Sequence, residues 1–173
     1  MAKKPLWIDL EMTGLDDNVH VILEFGAVVT DLDFNPLAEF HRIVLQPPAK
    51  LALMDEWCVK THGASGLTAA VATGTPLAEV ESEFLSLIDQ HYTKDTRIVI
   101  AGNSIGNDRR FIDRYMPNLA KRLHYRMIDV SSFKEIFRDK YGINYEKRDK
   151  HRATDDVFAS IEELKAYLAL VKV

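Results

Sequence analysis

Residues 6–12 alternate. Leu6, Ile8, Leu10 and Met12 fall on one side of an extended chain, and Trp7, Asp9 and Glu11 on the other. A period of two fits a β-strand and not a helix. The strand has one wholly apolar face and presents two carboxylates side by side on the other, at positions i and i+2. Acids in a hydrophobic strand are costly unless something binds them.

The rest of the chain extends this strand into a sheet. A second strand is expected over 21–30 and a third over 37–45. Asp33-Phe34-Asn35-Pro36 is the turn signal between them, so the three form a meander. The pattern then becomes helical, with a helix over 53–61 that ends near Gly63. Thr75 is expected as an N-cap with Pro76 at the first helical position, opening a helix toward His91. A strand over 97–101 precedes a helix over 105–115 that Pro117 stops. A short strand over 125–130 leads to a helix capped by Ser131 and running to Tyr141. A polar loop over 142–150 joins it to an amphipathic helix over 153–171. A meander followed by alternating helices and strands predicts an α/β fold with a mixed sheet flanked by helices.

With 173 residues, 47% hydrophobic and 28% charged, the chain is expected to form one soluble domain spanning 1–173. Charges interrupt every apolar stretch before a membrane span is complete, and Asp9 breaks any signal-peptide core in the first ten residues. The one cysteine, Cys58, has no internal partner, which makes a reducing cytoplasm the simplest location. The net charge of −4 counts against a long nucleic-acid groove, though not against a ligand with one or two phosphates.

Three further residues join Asp9 and Glu11 as candidates for chemistry. Asp108 follows the small, polar Gly102-Asn103-Ser104-Ile105-Gly106 and opens a helix. That loop lacks the Gly-Lys-Ser/Thr ending of a phosphate-binding Walker loop. His151 and Asp156 lie five apart, with His151 on the loop and Asp156 in the first helical turn, where Asp155 beside it reads as supporting or solvated. Each signal has an ordinary reading: an exposed edge strand, an acid favoured by the helix macrodipole, a surface histidine. Together, four acids and a histidine that titrates near neutral pH suggest a site that holds divalent metals and activates water.

In order and context these segments resemble the His-type branch of the DEDD exonuclease superfamily, and within it the oligoribonuclease family. The resemblance runs over nearly the whole chain. It rests on Asp-Leu-Glu-Met-Thr-Gly-Leu at 9–15, Leu-Met-Asp-Glu-Trp at 53–57, Thr-His-x-Ala-Ser-Gly-Leu at 61–67 and Gly-Asn-Ser-Ile-Gly at 102–106. It continues through Asp-Arg-Arg-Phe at 108–111, Tyr-Met-Pro at 115–117, His-Tyr-Arg at 124–126, Asp-Val-Ser at 129–131 and His-x-Ala-x-Asp-Asp at 151–156. Met12 is similar to the oligoribonucleases, since proofreading relatives more often carry Thr there.

The resemblance implies a ribonuclease-H-like fold and a 3′→5′ exoribonuclease that degrades very short RNA to nucleoside 5′-monophosphates. Asp9, Glu11, Asp108 and Asp156 would hold two divalent metal ions, Mg²⁺ or Mn²⁺, and His151 would be the general base. Leu15 would wedge against a base, Trp57 would line the base pocket, and His62 would reach a phosphate or sugar. Ser104, Arg126 and Ser131 would cap the 5′ phosphate, and Tyr125 would reach across a homodimer interface. By composition alone, Trp57 reads as core, Ser131 as a helix cap and Arg126 as surface. Glu24, in an apolar strand where the family also carries an acid, is expected to be structural and not a ligand. The loop 142–150, with Lys147, Arg148 and Lys150, is shorter and more charged than the family's. Two rivals remain: a DNA-proofreading or RNA-trimming exonuclease of the same superfamily, and a nucleotide sensor with a dead site. The first would prefer long strands to dinucleotides, and the second would show no turnover.

Overall fold

β1 (Leu6–Met12) is the strand that the alternation predicts, and it is the middle strand of a five-stranded sheet. The structure is a computed structural model and describes residues 4–145 and 152–171. β1 pairs antiparallel with β2 (Ile22–Thr30), which pairs antiparallel with β3 (Pro36–Ile43), giving the expected meander. On its other side β1 runs parallel to β4 (Ile98–Gly102), and β4 runs parallel to β5 (Leu123–Asp129). The order is β3-β2-β1-β4-β5, a mixed sheet.

Eight α-helices and one short 3-10 helix (Val71–Thr73) complete the described chain: α1 (Pro48–Leu51), α2 (Glu56–Ala64), α3 (Leu67–Ala70), α4 (Leu77–Ile88), α5 (Gly106–Tyr115), α6 (Pro117–Ala120), α7 (Val130–Tyr141) and α8 (Ala153–Ala169). The two faces of β1 enter separate cores. Leu6, Ile8 and Leu10 pack with Val80, Phe84 and Ile88 of α4 and with Phe111 and Ile112 of α5. Trp7, on the opposite face, packs with Val130 and Phe137 of α7 and Val157, Ile161 and Leu164 of α8. β2 is buried along its whole length because both layers cover it.

Several helix boundaries differ from expectation, each for a local reason. α2 begins at Glu56 and not at residue 53, because the Asp55 side chain accepts from the Cys58 N–H and sets the cap there. Pro76 itself occupies the cap position of α4, and Thr75 is drawn into backbone pairing with residues 43–45. Pro117 does end α5, but it also opens α6, whose first N–H groups are capped by the buried carboxylate of Glu81. Ser131 is not the cap of α7. Asp129 is, accepting from the Ser131 N–H at 3.0 Å, which leaves the Ser131 hydroxyl for other partners.

Candidate active site

The acid-bearing face of β1 meets the start of α8. Oxygens of Asp9, Glu11 and Asp156 all lie within 4.8 Å of one another. Two alternate residues of a strand and one residue in the first turn of a helix therefore converge, although more than 140 positions separate them in the chain. Trp7 continues the same face into the α7/α8 core, so the carboxylates stand where that apolar packing gives way.

Asp108 enters from α5. β4 pairs with β1 only at Leu6 and Trp7, so the sheet edge of β1 is open farther along. The Leu10 N–H there donates to Asp108 Oδ1 at 2.9 Å, which anchors this buried carboxylate to β1. Asp108 is thus beside the cluster and not one of the three residues whose oxygens converge.

The electrostatics are those of a site missing positive charge. Burial, then the charges of Asp156, Glu24 and Asp108, push Glu11 up to about 8. Burial pushes Asp108 up as well, against the pull of its bond from Leu10. His62 lies behind Glu11, only 1% exposed. Its Nε2 donates to the Met12 carbonyl at 2.9 Å, and its Nδ1, without a hydrogen-bond partner, faces Glu11 Oε2 at 3.9 Å. His62, expected to reach a phosphate or sugar, has one ring nitrogen bonded to backbone and its ring enclosed beside the cluster. Hard oxygen donors, crowded and mutually repelling, fit a divalent cation. Burial and the Asp55 carboxylate push the Cys58 thiol up to about 11, which leaves it a poor nucleophile.

The remaining candidates fall into two groups. Leu15 and Trp57 are 61% and 57% exposed, and the Trp57 ring stands edge-on to His62 at 6.5 Å, so Trp57 is not a core residue. Ser104 and Ser131 are joined. The Ser104 N–H donates to Asp129 Oδ1 at 3.0 Å and to Ser131 Oγ at 2.9 Å, which holds Ser104 at a left-handed φ of 49°. Tyr125, 74% exposed on the edge strand β5, stacks on His124, and the Arg126 guanidinium lies over its ring at 5.3 Å. His151 lies outside the described residues, as do residues 146–150 of the loop before it.

The sequence reading missed one network. Ser131 Oγ donates to Asn103 Oδ1, while Asn103 Nδ2 donates to Ser160 Oγ and Glu163 Oε2. The Tyr167 hydroxyl completes Glu163, which is fully buried. It ties the Ser104–Ser131 pair to the helix that carries Asp156. Its signal was available: Asp156, Ser160 and Glu163 share the stripe of α8 that also holds Val157, Leu164 and Tyr167.

Comparison with known proteins gives a consistent picture. The exonuclease family (RNase T) matches residues 6–164. The mitochondrial oligoribonuclease of Homo sapiens is 46% identical over 173 residues, covering 96% of this chain and 73% of that protein. The oligoribonuclease of Francisella tularensis subsp. tularensis is 42% identical over 170 residues, covering 96% of this chain and 94% of its own. Among solved structures, a full-length 3′-exonuclease superposes with a TM-score of 0.68 at 16% identity, over 97% of this chain and 61% of that one, a likeness of fold.

Proposed function

Because this chain belongs to the exonuclease family and, within it, to the oligoribonucleases, we propose that it removes nucleotides from the 3′ end of very short RNA, releasing nucleoside 5′-monophosphates. One observation carries the reading: carboxylates of β1 and α8 converge at a site whose own charges repel. Asp9, Glu11 and Asp156, with Asp108 beside them, would hold two divalent cations, Mg²⁺ or Mn²⁺. Bound metal supplies Lewis acidity and a water of lowered pKa. His151 takes the proton from the attacking water. Leu15 and Trp57 grip the terminal base, since an aromatic face stacks any base. Ser104, Ser131 and Arg126 meet the 5′ phosphate of a short strand, and the Asn103 network keeps the serines in register with α8.

The exposed edge strand β5 supports a homodimer in which Tyr125 completes the partner's site. No helix among the described residues is long and apolar enough to cross a membrane. The single cysteine suits a reducing compartment, and on that ground we propose a cytoplasmic location.

The test is an end-labelled RNA ladder from dinucleotide to decanucleotide, with product analysis. A site that caps the 5′ phosphate loses contacts when the strand continues, so dinucleotides are expected to bind best. The salt dependence should be shallow, with a log–log slope of about −1 to −2. Affinity that rises with length, on a steep salt slope, would instead indicate an extended groove and a general exonuclease.

A further inference from the structure

Glu24 is a buried acid that the chemistry above does not use. In the β1–β2 register Glu11 faces Glu24 and Asp9 faces Gly26, so these two β2 residues lie beside the acid-bearing positions of β1. At Gly26 the first residues of α8 sit directly on the strand. A Cβ there would come within 2.6 Å of the Ala153 carbonyl carbon and 2.7 Å of the Thr154 nitrogen. Two positions along, the Glu24 carboxylate takes hold of the same helix end. Its Oε1 accepts from Arg152 Nε at 2.9 Å and Nη2 at 2.7 Å, and its Oε2 accepts from the Ala153 N–H at 3.0 Å. His41 Nε2, from β3, meets Oε1 at 2.6 Å.

The cap of α8 explains why this matters. Arg152 is its N-cap residue and makes no side-chain cap bond. Helix starts leave N–H groups without partners, and here a residue from another element supplies the acceptor. Burial alone would raise Glu24, but the bonds from His41, Arg152 and Ala153 prevail and hold it at about 2, so it stays ionised. The next residues of α8 lead to Asp156, whose N–H closes the first turn on the Arg152 carbonyl at 3.0 Å.

We propose that Glu24 is a positioning residue for the metal site: with Gly26 it docks the start of α8 on β2, and so sets Asp156 against Asp9 and Glu11. The inference rests on reading those three carboxylates as metal-holding. Groups that orient ligands from behind typically carry a 10–100-fold share of metal affinity.

Calorimetric titration of Mn²⁺ into the full chain tests it, using Glu24→Gln, Arg152→Met and, as control, Arg138→Met, which breaks surface pairs with Glu135 and Asp139 on α7. Both clamp variants are expected to bind Mn²⁺ about 10–100-fold more weakly, with the control unchanged. Simple electrostatics predicts opposite signs for the two: loss of an anion weakens a cation site, and loss of a cation strengthens it. Weakening by Arg152→Met is therefore the decisive result. Tighter Mn²⁺ binding in Arg152→Met, or parent-like affinity in a folded Glu24→Gln, overturns the proposal. A lowered Tm with unchanged affinity also overturns it, because that is the signature of a merely structural pair. If Glu24→Gln does not fold, Arg152→Met decides alone. Hydrolysis of a diribonucleotide by the parent chain is scored separately, and its failure would sink the exonuclease reading while leaving the affinity comparison standing.

Discussion

The two ends of the proposed substrate path are built in opposite ways. At the carboxylate end every participant is held by something else: Asp9 and Glu11 by strand register, Asp108 by the Leu10 N–H, and Asp156 by a helix start fixed on β2. At the β5 edge, Tyr125 and Arg126 stand exposed, and their contacts are with each other and with His124. Crowding like charges is unfavourable without a cation, so the first end must be enforced by the fold. On the proposed reading the second end would be completed by its ligand or a partner subunit, and rigidity there would add little. Bond-making atoms need fixed geometry, whereas a phosphate at the far end of a flexible strand needs mainly charge and reach.

That contrast is open to attack, and the heaviest blow falls on the fixed end. Asp156→Ala is expected to abolish hydrolysis of a diribonucleotide while the circular dichroism spectrum survives, and a chelator should do the same reversibly. Near-parent turnover in a folded Asp156→Ala would remove the residue from the site. At the open end, Arg126→Ala and Tyr125→Ala should each raise KM roughly tenfold with kcat little changed, in keeping with about 1.5–3 kcal/mol for a hydrogen bond to a charged phosphate and about 1–3 kcal/mol for an aromatic stacking contact. A fall in kcat as large as that of Asp156→Ala would erase the distinction between the ends.

The smallest effect is on stability. In the metal-free chain the Glu11 carboxyl sits at about 8, above its ordinary 4.5. The folded state then binds that proton more tightly than the unfolded state. Stability falls as pH rises above 4.5, and the loss is complete above about 8. Thermal melts should show Tm dropping across that window without metal, a drop that Glu11→Gln flattens and Mn²⁺ reverses. A Tm independent of pH over this range, with Mn²⁺ making no difference, would contradict a charge-strained site.

Much of this arrangement could be read from the chain because strands announce themselves with a period of two. Leu6 to Met12 gave both the element and the side of it that carries Asp9 and Glu11. Helix starts were harder. Asp55 and Asp129 cap through side chains whose reach a pattern of apolar residues does not register, so that pattern starts α2 three residues early and puts the cap of α7 on Ser131. The four-residue helices α1, α3 and α6 are too short for any periodicity to show. Glu24 was legible as structural, but not as a clamp, because its partner Arg152 is 128 positions away. The surroundings of His62 are illegible for a related reason: its residue type suits a phosphate or sugar, and only the fold places its ring behind Glu11.

The chain has two tryptophans, and the fold gives them opposite surroundings. Trp7 is wholly enclosed, with its indole N–H on Thr30 Oγ1 and its ring against Phe34. Trp57 is largely open to water on α2, beside the ring that backs Glu11. An indole in an apolar shell emits toward the blue and is sheltered from aqueous quenchers, while one in water emits toward the red and is readily quenched. The protein therefore carries two built-in optical channels. The short-wavelength one reports whether the sheet and its covering helices are intact. The long-wavelength one reports on the surface beside His62, the ring that backs Glu11, so on the proposed reading a single spectrum would separate melting from occupancy without any added label.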